Sequence, residues 1–200
     1  CGSGQLDVLL AAKTKSSVVA IDIIEDALLA GLNLLKEVGL NGQVSLVRAS
    51  VFHLPFRDSI FDVAVSTGSE SAAAYSGAPS EVSREVTKDG ILFIDFTRMP
   101  NLYQPLRSIK GFLRYKESQQ KRSKGEKTKY FHYGKLGLKE RFEQELGLKI
   151  EKIWRMNNSP PIGGKNLRIL FEKTLGKLLS PVLARTILVE FINTKKQNKI

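Results

Sequence analysis

The chain is short of cysteine and histidine, and it has no long apolar run. Its one cysteine is Cys1, so no intrachain disulfide can form among the 200 residues. That composition fits a reducing compartment, and a cytoplasmic setting is the expectation. The two histidines, His53 and His132, make no cluster with a cysteine, so no metal site is expected. No apolar run reaches the roughly 18 residues of a membrane span. The longest candidate, LLSPVLARTILVEFI, is broken by Pro181, Arg185 and Glu190. Within these residues no secretory leader pattern and no internal repeat is visible.

Acidic residues are also scarce in one half. Residues 1–100 hold 8 Lys and Arg against 12 Asp and Glu, whereas residues 101–200 hold 23 against 8. The two halves therefore do different work, and the second could meet an anionic partner or simply present a solvated basic surface. The apolar share of 42% is ordinary for a globular protein and leaves room for a real core.

The first half alternates β-rich runs with helical segments. SVVAID (17–22), QVSLVRA (43–49), FDVAVST (61–67) and ILFIDF (91–96) read as strands, the third apolar on both faces. EDALLAGLNLLKEVG (25–39) reads as a helix with Leu28, Leu32, Leu35 and Val38 on one face and Gly39 as its stop. PSEVSREVTKDG (79–90) reads as a second helix, with proline near its start. This rhythm predicts an α/β fold with a parallel sheet and crossover helices. In the second half, 135–147 reads as an amphipathic helix. LKIEKIWRM and NLRILFEK read as an antiparallel strand pair closing one edge, and 173–192 as helical. Residues 116–134 are polar, lysine-rich and expected to be mobile. The expected division is a core at 1–100, a basic helix and insertion at 101–134, and a closing region at 135–200.

CGSG (1–4) is a glycine turn opening a helix, a place where backbone N–H groups approach an anionic ligand. Asp22 follows Gly4 by 18 residues, at the end of a strand, where an acid can grip a ribose diol. A nucleoside-containing ligand is the reading. The dinucleotide fingerprint wants a third glycine, but Asp7 stands there, and its carboxylate would repel a pyrophosphate. A nicotinamide cofactor is therefore disfavoured, and a glycine turn with no ligand remains the other alternative.

Further motifs carry a resemblance. LVRASVFHLPFRDSIFDVAVST is similar to the third and fourth strand region of class I S-adenosylmethionine-dependent methyltransferases, most of all the type 11 group with the quinone-biosynthesis methylases. The matching pieces are Leu54-Pro55-Phe56 and Asp58-Ser59, then Phe61-Asp62-Val63. EVSREVTKDGILFIDF resembles that family's helix–turn–strand, with its turn at Lys88-Asp89-Gly90. VVAIDIIEDAL resembles its ribose motif, and CGSG the tail of its glycine motif. The likeness covers about residues 1–100 and implies a Rossmann-like, doubly wound sheet whose first strand would precede Cys1.

The resemblance implies S-adenosylmethionine as methyl donor and assigns roles by position. Cys1, Gly2, Ser3 and Gly4 would approach its methionine half. Asp22 would accept from both ribose hydroxyls, and Ile23 would lie on the adenine. Ser50 stands where the family has an aspartate for the adenine amino group, a neutral and shorter acceptor. Val51 would meet a ring nitrogen through its N–H, and Ser66 would end a strand beside the methyl group. Glu70 is the candidate catalytic acid or base and Tyr75 a substrate-facing neighbour, although an exposed loop role suits both. His53 has no acid–nucleophile partner at useful spacing. Ser159-Pro160-Pro161-Ile162 lacks the aromatic of the amino-methylase signature and reads as a turn.

A small-molecule methyl acceptor is the preferred reading. A nucleic-acid acceptor would draw on the basic half, yet residues 107–129 offer nine Lys and Arg with only Phe112 and Tyr115 for stacking. The remaining alternative is a non-catalytic binding module, or a lipoprotein acylated at Cys1. The stretch KTLGKLLSPVLARTILVEFI could touch a membrane surface peripherally, but core packing suits it better. With the first strand absent from residues 1–200, impaired cofactor binding is expected of this stretch alone. A buried strand of that kind carries burial comparable to the whole net stability, about 5–15 kcal/mol.

Overall fold

The computed structural model describes residues 1–67, 77–97, 138–156 and 186–194. The chain falls into two compact units, residues 1–56 and 57–200.

In the first unit the elements are α1 (Gln5–Thr14), β1 (Val18–Asp22), α2 (Glu25–Glu37) and β2 (Val44–Arg48). β1 and β2 pair in parallel, from Val18 opposite Val44 to Asp22 opposite Arg48. A parallel pair needs a crossover connection, and α2 supplies it between β1 and β2. Ala11, Ala20, Leu35 and Val44 form the core, with Val8, Val18, Leu40 and Leu46 packed on it. The helix ends as the sequence indicates: Gly39 takes a positive φ of 72°, and the Leu40 N–H reaches back to the Leu35 carbonyl at 2.9 Å. The buried line on α2 differs from expectation. It runs through Gly31 and Leu35, while Leu32 and Val38 are exposed. Gly31 is the reason, because it lies against the Cys1–Gly4 loop and turns the helix to present its bare Cα there.

The second unit holds β3 (Phe61–Ser66), α3 (Ala78–Glu85), β4 (Val86–Thr97), a π-helical segment (Lys139–Glu145), β5 (Leu148–Met156) and β6 (Thr186–Asn193). The sheet order is β3-β4-β6-β5. β3 and β4 are parallel, whereas β6 runs antiparallel to both β4 and β5. Leu92, Ile94 and Phe96 of β4 and Ile187, Val189 and Phe191 of β6 point to one buried face with Phe142 and Leu148. There the Phe142 ring stacks on Phe191 at 4.7 Å, and Phe96 meets Phe142 edge-on at 5.3 Å.

Three expectations are corrected. The helix expected at 79–90 stops at Glu85, and β4 starts at Val86. Lys88-Asp89-Gly90 does form a turn, with Asp89 at φ 64°, but it is a bulge within the pairing of β4 with β3. The region 173–192 is not helical where it is described. Residues 186–193 are a strand inserted between β4 and β5, because TILVEFI alternates buried and half-buried positions at period two. The antiparallel pair is therefore β5 with β6, and NLRILFEK lies outside the described residues. Third, β3 is not apolar-buried on both faces, since Val63 and Val65 are 49% and 39% exposed.

Among the described residues β1 has only β2 as strand neighbour, and β3 only β4. No helix among them is long and apolar enough to cross a membrane. The basic insertion, residues 101–134, lies outside the described residues.

Candidate functional site

The loop Cys1–Gly4 precedes α1, with Gly2 and Gly4 at φ 57° and 77°. These are left-handed values that a residue with a Cβ adopts only at a cost. Gly4 caps the helix: its N–H reaches the Cys1 carbonyl at 3.2 Å, and its carbonyl accepts from Val8 at 2.9 Å. A Cβ on Gly31 would lie 3.7 Å from the Ser3 carbonyl group, so α2 packs tightly under the loop. A glycine in mid-helix is the signal that could have revealed this contact.

Asp22 ends β1 and ties the loop to the strand. The Gly2 N–H donates to its Oδ2 at 2.8 Å, and the Cys1 nitrogen donates to the same oxygen at 3.1 Å. The Ile24 N–H donates to Oδ1 at 3.0 Å. Burial works to raise its pKa. The N–H groups of Ile24 and Gly2 oppose it, and the carboxyl is held below the ordinary carboxylate value. With one bond taken at Oδ1 and two at Oδ2, one acceptor lone pair on Oδ1 remains. The side chain is 18% exposed, enough for one ligand hydroxyl to arrive there.

Asp7 sits in the first turn of α1. Its Oδ2 is buried with no hydrogen-bond partner, and it lies 3.9 Å from where a Cβ on Gly4 would stand. Burial raises its pKa, against the pull of its own backbone N–H. A buried carboxyl under the loop leaves no favourable place for a pyrophosphate.

Ile23 follows Asp22 and is 61% exposed, a bare apolar side chain at the carboxyl edge of β1. Ser50 and Val51 begin one residue beyond Ala49, whose N–H donates to the Asp22 carbonyl at 3.1 Å. The first unit thus brings Cys1, Gly2, Ser3, Gly4, Asp22, Ile23, Ser50 and Val51 to one strand edge. The Ser50 hydroxyl is drawn into its own turn, accepting from Phe52 at 3.4 Å, and His53 closes that turn by donating its N–H to the Ser50 carbonyl at 2.9 Å. Ser66 ends β3 in the other unit and is half-buried. Glu70, Tyr75 and Ser159–Ile162 lie outside the described residues. No group of three or more metal-ligating side chains occurs among the described residues.

Sequence reasoning missed Arg48. Its Nε–H donates to the Ile23 carbonyl at 3.3 Å, and its Nη1 pairs with Glu25 Oε2 at 2.6 Å.

Residues 1–94 match the family model described as a methyltransferase domain. No curated protein sequence matches the chain significantly. Among solved structures, geranyl diphosphate C-methyltransferase from Streptomyces coelicolor A3(2), in complex with Mg2+, geranyl diphosphate and S-adenosyl-L-homocysteine, superposes with a TM-score of 0.63. It is 14% identical, over 96% of this chain and 68% of that one. A S-adenosylmethionine-dependent methyltransferase from Methanosarcina mazei gives a TM-score of 0.64 at 18% identity, over 98% of this chain and 90% of that one. The [4+2]-cyclase SpnF gives 0.64 at 14% identity, over 98% and 74%. Residues 1–94 thus match a methyltransferase domain model, and the chain is similar in fold, a Rossmann-like α/β fold, to these solved structures.

Proposed function

We propose that the chain transfers a methyl group from S-adenosylmethionine to a small-molecule acceptor, with the cofactor held at the strand edge of the first unit. The observation that carries this reading is the bond from the Gly2 N–H to Asp22, which joins glycine loop and strand-end acid into one cradle. The open lone pair on Asp22 Oδ1 accepts from one ribose hydroxyl. Exposed Ile23 covers one face of the adenine, and the Val51 N–H supports its rim. The Ser50 hydroxyl, already accepting within its own turn, contributes less than an aspartate would. Buried Asp7 beneath the loop disfavours a phosphate there.

When bound, the cofactor supplies a methyl group on a sulfonium, a leaving group activated by its own charge. The protein's part is to hold donor and acceptor in line, so no fixed triad is required. Glu70 is the proposed group for taking a proton from the acceptor, and Ser66 the proposed neighbour of the methyl group. The small-molecule reading is supported by a neighbour of the same fold that binds geranyl diphosphate.

The test uses methyl-labelled cofactor with two pools of acceptors, small metabolites and total RNA. Label is expected in the small-metabolite pool, and label confined to RNA would overturn the acceptor class. Asp22→Ala is expected to remove most of the transfer. Losing a hydrogen bond to a charged group is worth about 2–3 kcal/mol.

A further inference from the structure

We infer that Arg48 is a positioning residue for the adenosine half of the cofactor, acting through Ile23; this rests on the cofactor reading proposed above. Arg48 is the last residue of β2 and lies opposite Asp22, the last residue of β1. From there its side chain crosses to the turn that follows β1. The Nε–H bonds the Ile23 carbonyl at 3.3 Å, and Nη1 bonds Glu25 Oε2 at 2.6 Å. The guanidinium therefore grips both ends of a three-residue step, Ile23 to Glu25.

That step is the part of the cradle least held by packing. Ile23 and Ile24 are 61% and 59% exposed, so no core fixes their backbone. On the near side the Ile24 N–H is fixed by Asp22 Oδ1, which orients the peptide after Ile23. On the far side only Arg48 reaches the Ile23 carbonyl among the bonds described for that group. A planar fork with several donors can hold two acceptors at once, and a lysine ammonium lacks that fork. The consequence is a fixed direction for the Ile23 side chain at the strand edge. An apolar side chain with a fixed direction presents a flat contact to a base without losing freedom on binding.

The ion pair itself is open to water, the Arg48 and Glu25 side chains being 61% and 64% exposed. Its contribution to folding is accordingly small. Arg48 matters for ligand placement and little for stability, and that separation is measurable.

The experiment is a mutant cycle on S-adenosylhomocysteine binding, read as dissociation constants by ligand-observed NMR with the whole chain. Its proteins are wild type, Arg48→Ala, Ile23→Ala, the double variant and Arg48→Lys. Arg48→Ala is expected to weaken binding about two- to fivefold with an unchanged melting temperature, the scale of one exposed charged contact. In the Ile23→Ala background the same change is expected to have almost no effect, because coupled residues are non-additive. Arg48→Lys is expected to fall between wild type and Arg48→Ala. Unchanged binding in Arg48→Ala, or an equal loss in both backgrounds, overturns the positioning role while leaving the cofactor site standing. Absence of any binding by wild type overturns both.

Discussion

The carboxyl of Asp22 is held below the ordinary carboxylate value because the N–H groups of Ile24 and Gly2 donate to it against the effect of burial. Its folded pKa lies below the ordinary carboxylate value, so its stabilising contribution is present above about pH 4. It is lost as the pH falls from about 4 to 2. Thermal melts of wild type and Asp22→Asn should therefore differ at pH 5 and converge toward pH 2. A gap of constant size across that range would contradict the assignment. Asp22 was legible in the sequence, since a glycine turn and an acid at the end of the next strand have a known spacing. Arg48 was not, because its partners lie 25 and 23 residues away and depend on the register of β1 against β2. The orphaned Oδ2 of Asp7 was equally hidden. The sequence places an acid in the first turn, but its burial beside Gly4 depends on the folded packing of the loop.

β4 has to leave α3, bulge and pair on both sides, and two residues make that possible. A Cβ on Gly90 would stand 2.7 Å from Thr87 Oγ1 and from Val86 Cγ1, and 2.8 Å from the Asp62 carbonyl oxygen. The last is backbone and cannot move aside, so Gly90→Ala should cost about 1–3 kcal/mol, the scale of overpacking. Asn193, at the end of β6, donates through Nδ2 to the carbonyls of Val86 at 2.8 Å and Ser83 at 3.3 Å. Asn193→Ala leaves buried carbonyls without that donor and should cost about 1–3 kcal/mol in denaturant melts. Losses under about 0.5 kcal/mol in both variants would show that the junction is not what holds β4. The parallel elements were legible because β-branched runs alternate with helical periodicity. β6 was not, since TILVEFI adjoins a leucine-rich stretch, and a short apolar run reads equally as strand or helix. Pairing with β4 and β5, distant in sequence, settles it as strand.

For the whole molecule, the likeness to a [4+2]-cyclase as well as to methyltransferases shows that this fold serves more than one chemistry. The proposed function therefore rests on the cradle of the first unit and not on the fold. The charge asymmetry between the halves was visible from composition, but composition names no partner. The most direct measurement is ligand-observed NMR of S-adenosylmethionine with wild type and with Asp22→Ala, a method that reads weak as well as tight binding. The account predicts ligand signals attenuated by wild type, restored by competing S-adenosylhomocysteine and unaffected by NADH. For Asp22→Ala it predicts binding about thirtyfold weaker or beyond detection, the equivalent of about 2 kcal/mol or more. Equal attenuation by wild type and Asp22→Ala, or displacement by NADH, would contradict it.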